Sequence, residues 1–113
     1  MMETSASLFG DRGLSAWHYE ELYARAEIVL RVPRKGSMLP AAEIRLSRGI
    51  CHQWFWGASW NASTAGGGCP FHGSECATRA DAVSKARIWI ENKIPHMDPS
   101  DASRVRAALG ELA

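Results

Sequence analysis

The chain has no apolar run long enough to cross a bilayer, which excludes a membrane-spanning helix. Its first ten residues have neither the basic nor the apolar region of a secretory leader, so a cytoplasmic protein without membrane contact is expected. Cysteine is scarce: only Cys51, Cys69 and Cys76 occur, and an odd count suits a reducing compartment better than a disulfide framework. Net charge is almost absent, at +1 over 113 residues, so charge alone does not make the whole molecule a polyanion binder. Paired-carboxylate motifs and a nucleophile elbow are missing. Gly66-Gly67-Gly68 is followed by no Gly-Lys-Ser/Thr, which excludes a phosphate loop. No internal repeat occurs. These absences argue against an enzyme, and no catalytic residue is nominated.

What is present is a chain of one-domain length with ordinary globular composition. Residues 1–13 read as a loose arm punctuated by Gly10 and Gly13, and 14–113 as a single domain. Ser15 suits a helix N-cap. Leu14, His18, Leu22, Ala26 and Val29 fall on one stripe, with Trp17 and Tyr23 beside it, so a helix is expected over about 15–25. Ile28, Leu30 and Val32 then alternate with polar or smaller neighbours, as a strand over 27–32 does. Pro33, Gly36 and Pro40 make the following segment a loop.

The densest aromatic stretch is Ile50–Trp60, which holds three of the five tryptophans and Phe55. Aromatics suit a pleated, half-buried surface, so it reads as a strand. Ile50, Trp54, Trp56, Ala58 and Trp60 share one face, and Phe55 points to the other. Glu43–Ser47 alternates as a partner strand. A three-residue turn, Ser47-Arg48-Gly49, sets Leu46 opposite Ile50 and Ile44 opposite His52, and it wants Gly49 in a left-handed conformation. Residues 61–77 are long for a structureless connection, so either a short third strand or a functional loop is expected there. Thr78-Arg79-Ala80-Asp81 is a capping box ahead of the stripe Val83, Ala86, Ile90, Ile94. Asp98-Pro99 opens a last helix with Ala102, Val105, Leu109 and Leu112 on one face. The expected fold is α+β: a small antiparallel sheet of about three strands, packed on one face by helices, two of them C-terminal.

Three constellations could carry chemistry. Residues 1–30 carry a net −3 and residues 31–48 a net +4, the latter from Arg31, Arg34, Lys35, Arg45 and Arg48 against Glu43. That basic segment could neutralise phosphates beside a stacking tryptophan. Cys69, His72 and Cys76 on a glycine-containing loop, completed by His52, Cys51 or His96, could hold zinc, though no established zinc module has this spacing. Ordinary loop cysteines are the simpler account. Phe55 and Trp60, with Arg34, Lys35 and Arg48, could anchor a protein partner.

Thr78-x-x-Asp81-Ala82-Val83-x-x-Ala86-x-x-Trp89-Ile90-Glu91, preceded by two strands and a Gly-rich segment, resembles the helix of HicB-like β-β-β-α antitoxin domains. The resemblance covers roughly residues 43–94. The strand Glu43–Trp60 followed by this helix also looks like small phage and plasmid accessory proteins, anti-CRISPR-type inhibitors among them. It implies a non-catalytic protein that occupies a partner's surface, with a protein, nucleic-acid or nucleoprotein partner or a second copy of itself, and without a cofactor unless zinc is bound. Surface exposure of Phe55 and Trp60 is the observation on which that inhibitor depends.

Overall fold

The structure is a computed structural model that describes residues 16–69, 71 and 75–112; the expected arm, Leu14 and Ser15 lie outside them, as do the side chains of Trp17 and His18. The elements run α1 (Ala16–Arg25), β1 (Glu27–Val32), β2 (Ala42–Arg48), β3 (Trp54–Asn61), β4 (Gly66–Cys69), β5 (Glu75–Cys76), α2 (Arg79–Glu91), a 3-10 turn at Ile94–His96, and α3 (Pro99–Gly110). The strands form one antiparallel sheet in the order β1-β2-β3-β4, with β5 pairing β3 beside β4. The fold is therefore α+β, and residues 61–77 supply two short strands rather than one.

Alternation decides what each face of the sheet meets. Leu30, Val32, Ala42, Ile44, Leu46, Trp56, Ala58 and Trp60 share one face and are buried against Val83, Ala86 and Ile90 of α2 and Val105 and Leu109 of α3. These positions are the stripes that the helical spacing of the two C-terminal segments marks out. The 3-10 turn around Pro95 carries Ile94 and Met97 into the same core. Among the described residues no helix is long and apolar enough to cross a membrane.

The β2–β3 register departs from expectation. Leu46 lies opposite Trp56 and Ile44 opposite Ala58, with Arg48 opposite Trp54. The turn spans residues 49–53, and Ile50 sits in it 68 % exposed instead of in the core. The reason is pairing: a turn at 47–49 would leave the second half of β3 without a β2 partner, whereas this register pairs seven residues of each strand. The slip moves each contact by an even number of residues, so the same side chains still face the core. His52, not Gly49, takes the left-handed conformation, with φ 66°. Gly49 is required for a different reason: a Cβ there would stand 2.8 Å from a ring carbon of Phe55. The turn is closed by the Gly49 amide donating to the Gln53 carbonyl at 2.8 Å and the Cys51 amide donating to Oε1 of Gln53 at 2.9 Å.

The expectation that all helices share one face also needs correction. Leu22 of α1 packs on Phe55 and Phe71, on the face of the sheet opposite to α2 and α3. Phe55 is the apolar side chain that calls for this second layer. Along β1 the pairing shifts by one residue between Ile28 and Leu30, a bulge that turns Glu27 toward the helical face, where it meets Arg79 at 3.0 Å.

α2 starts as its capping box predicts, with Thr78 Oγ1 accepting from the Asp81 amide at 3.1 Å. Asp98 stands at the N-cap of α3, but its carboxylate makes no capping bond. It accepts instead from the Ser63 hydroxyl at 2.7 Å and from Arg34 at 3.1 Å.

Candidate ligand groove between the first helix and the sheet

Among the described residues, the face of the sheet under α1 is only partly covered. A ten-residue helix is about 15 Å long, whereas β3 has eight residues, or about 26 Å at strand rise. Leu22 seats α1 on the Phe55 end. Beyond that end the same face presents Gly57 and Ser59 of β3 and Gly68 of β4. With no side chain larger than a hydroxymethyl group, the surface sinks. The result is a groove of about 770 Å³ whose walls include Tyr19, Glu20 and Tyr23 from α1, Glu43 and Arg45 from β2, and Phe71. Its volume lies within the range of pockets that take drug-sized ligands, about 300–1,000 Å³.

Rings frame the groove. Tyr23 and Phe71 meet edge-on, with centroids 6.3 Å apart. The Arg45 guanidinium lies 4.7 Å from the centre of the Tyr23 ring, within cation–π range. Gly57 lies close beneath Phe71: a Cβ on it would stand 3.5 Å from the ring. Glu43 is buried on the floor's edge and is held by two guanidiniums, Arg31 at 2.5 Å and Arg45 at 3.2 Å. A buried carboxylate is tolerated because both partners also hydrogen-bond to it.

The nominated site residues fall as follows. Phe55 is 1 % exposed and Trp60 7 %, so neither reaches a partner; the first lies under α1 and the second in the α2–α3 core. Arg34 is drawn inward by Asp98 and Asp101, at 3.1 and 3.2 Å. Arg104 also pairs with Asp101 and donates to the Pro33 carbonyl at 2.7 Å, which ties the β1–β2 loop to the start of α3. Arg31 and Arg45 are committed to Glu43. Lys35 lies in the β1–β2 loop, and Arg48 at the far end of β2, its guanidinium 5.6 Å from the centre of the Trp54 ring. The length of β2, about 20 Å, separates the loop from Arg48, so Lys35 and Arg48 do not share a surface.

The cysteine loop is equally dispersed. Cys69 pairs with Ala58 and Cys76 with Trp54, positions four residues apart on β3 and hence about 13 Å along it. Two cysteine side chains cannot close that span onto one ion with Zn–S bonds of about 2.3 Å. His72 lies outside the described residues, and His52 is exposed on the β2–β3 turn. Among the described residues no three of His, Cys, Asp and Glu gather as metal ligands. Burial pushes the Cys69 and Cys76 thiols up, against the pull of Lys93 and Lys85, which keeps both protonated near neutrality and weak as nucleophiles.

Tyr19, Glu20, Glu43, Phe71 and the small floor residues were not nominated from the sequence. A signal for them was there: Tyr19 and Tyr23 are four residues apart on one helical face, and Gly57 and Ser59 follow Phe55 at period two. Compared with protein-family models, with curated proteins and with solved structures, the chain has no match in any of the three. Fold and groove therefore define the class on their own: an α+β protein with a ligand-sized hollow, among the described residues, between a helix and its sheet.

Proposed function

We propose that the protein is a non-catalytic binding protein whose ligand sits in the groove between α1 and the sheet. The observation that carries this is the groove itself: about 770 Å³, floored by Gly57, Ser59 and Gly68 and walled by aromatic rings. An apolar hollow with few, well-held polar groups is the usual form of a ligand site. The ionisable side chains around it favour binding over chemistry. Glu43 and Arg45 are occupied with each other, and the Cys69 thiol is held in its protonated form by burial.

This keeps the binding class expected from the sequence and moves its contacts. An inhibitor of anti-CRISPR type loses Phe55 and Trp60, the two aromatic contacts on which it depended. A HicB-like or other nucleic-acid-associated module loses Arg31, Arg34 and Arg45 to internal ion pairs. The test is amide chemical-shift mapping during titration with a library of small apolar fragments. Shifts are expected to cluster on Tyr23, Gly57, Ser59 and Gly68. Shifts centred instead on the β2–β3 turn or on α3 would remove the groove as the site.

A further inference from the structure

We propose that the outer edge of β4 docks an extended segment of a partner protein, which joins the sheet as a further strand. The edge borders the groove at Gly68 and does not depend on a ligand there. Pairing decides where the main-chain groups of β4 point. In an antiparallel ladder, opposed residues bond to each other only at every second pair. The Asn61 amide donates to the Ala41 carbonyl at 3.1 Å, so Asn61 bonds toward the β2 side, and Ser59 does so with it. The Ala62 amide donates to the Ala65 carbonyl at 2.7 Å, so the even positions at this end of β3 bond toward β4. Trp60 therefore exchanges bonds with Gly67. Gly66 and Gly68, opposite Asn61 and Ser59, turn both N–H and C=O outward.

Among the described residues no strand lies beyond β4, and Gly66, Gly67 and Gly68 are exposed. β1, the other edge, is interrupted by its bulge, whereas β4 pairs with β3 without a break. A main chain laid antiparallel to β4 can exchange a pair of hydrogen bonds with each of Gly66 and Gly68, as in strand addition to other sheets. No Cβ, charge or proline stands in the way at these three positions.

The same residues set the chemistry of the segment. A side chain opposite Gly68 shares the face of Ser59, and one opposite Gly67 shares the face of Trp60. A Cβ on Gly67 itself would stand 3.5 Å from Nε1 of Trp60. The surface over these glycines is thus left for side chains from the neighbouring strand. Aromatic or β-branched residues at alternate positions cover edge glycines in this way. A second copy of β4 brings glycines to the same positions. It would gain main-chain bonds but bury almost no side chain, far short of the roughly 1,200 Å² of a stable interface. The segment that fits is therefore a partner's, with aromatic or β-branched residues two apart and no proline between them.

The experiment uses the full chain and a capped peptide, acetyl-Lys-Thr-Tyr-Thr-Val-Thr-Lys-amide, with a twin N-methylated at the tyrosine and valine amides. In the free chain the Gly66 and Gly68 amides should exchange with solvent at least tenfold faster than the Gly67 amide. Saturating peptide should slow both at least tenfold and leave Gly67 unchanged. The N-methylated twin should bind at least tenfold more weakly. Gly68→Pro removes one outward donor at an edge, where proline is tolerated, and should weaken binding to the same degree. Met38→Ala and Ile50→Ala, exposed apolar side chains away from β4, should bind as the parent does.

Gly66 and Gly68 amides as protected as Gly67 in the free chain would overturn the proposal. So would no binding at millimolar peptide, equal binding of the twin, or shifts confined to Tyr23 and Gly57, which would put the peptide in the groove. A concentration-dependent dimer that Gly68→Pro dissolves would give the edge to a second copy instead. Circular dichroism shows whether Gly68→Pro is folded; if it is not, the twin peptide and the exchange rates of the parent chain decide.

Discussion

Phe55 is the residue whose role the structure changes most. Its ring is fully buried between Leu22 and Phe71, with Tyr19 edge-on at 6.2 Å. Phe55→Ala is therefore expected to cost about 3–5 kcal/mol of folding stability, read from urea unfolding. A loss under 1 kcal/mol would mean that the ring is not in a core. The β2–β3 turn offers a finer test. Gly49→Ala forces a methyl group against the Phe55 ring and should cost about 1–3 kcal/mol. His52→Val places a branched residue at φ 66° and should lose about 1–2 kcal/mol, whereas His52→Gly should leave stability unchanged or slightly raised. If the turn were the three-residue one, with Gly49 left-handed, His52 would lie in a strand and the order would reverse, Val being tolerated better than Gly. At this scale the sequence was legible in part. Parity assigned Trp54, Trp56 and Phe55 to the correct faces, because alternation is local. It could not show whether the Phe55 face was covered, since the covering residue, Leu22, lies thirty-three positions away in sequence.

At the scale of elements, β1 and the two C-terminal helices were readable because their stripes, caps and prolines are local signals. The β2–β3 register was not. Turn chemistry favoured Gly49, but seven paired residues outweigh one well-placed glycine. The first turn of α3 was half-readable. Asp98 occupies the N-cap position, yet its carboxylate serves the junction with Ser63 and Arg34. Hydrogen bonding from Ser63, aided by the Arg34 charge, holds its pKa below the ordinary 3.8. A carboxyl whose pKa is lower in the folded than in the unfolded chain stabilises the fold above its unfolded pKa. That contribution fades as pH falls through the folded value. The junction should thus weaken only below about pH 4. Asp98→Asn should lower the melting temperature at pH 7 and lower it progressively less in more acid solution. A difference that stays constant from pH 7 to pH 2.5 would show that the charge of Asp98 contributes nothing.

On the scale of the whole molecule, helices lie on both faces of one sheet, α2 and α3 on one and α1 on the other, and among the described residues α1 leaves part of its face open. The candidate site arises from that mismatch in coverage. It could not be read from any one motif, because its walls come from α1, β2, β3, β4 and Phe71 at once. The motif that looked most like chemistry, Cys69 to Cys76, is spread along β3 by the pairing of β4 and β5. Thermal unfolding is accordingly expected to be the same after dialysis against a chelator as with equimolar zinc. A chelator-induced drop of several degrees that zinc reverses would restore a structural metal.

The bulge in β1 has a consequence for the chain in a crowded solution. Among the described residues β1 is an edge of the sheet, and Ile28 on it is exposed. A straight edge of that kind is a template on which further chains can polymerise. Here the ladder falls out of step between Ile28 and Leu30, and the flanking charges Glu27 and Arg31 are sent to opposite faces. A second copy laid along β1 would lose its hydrogen bonds after a residue or two and would meet no complementary charge. The bulge therefore works as a brake on edge-to-edge stacking along β1.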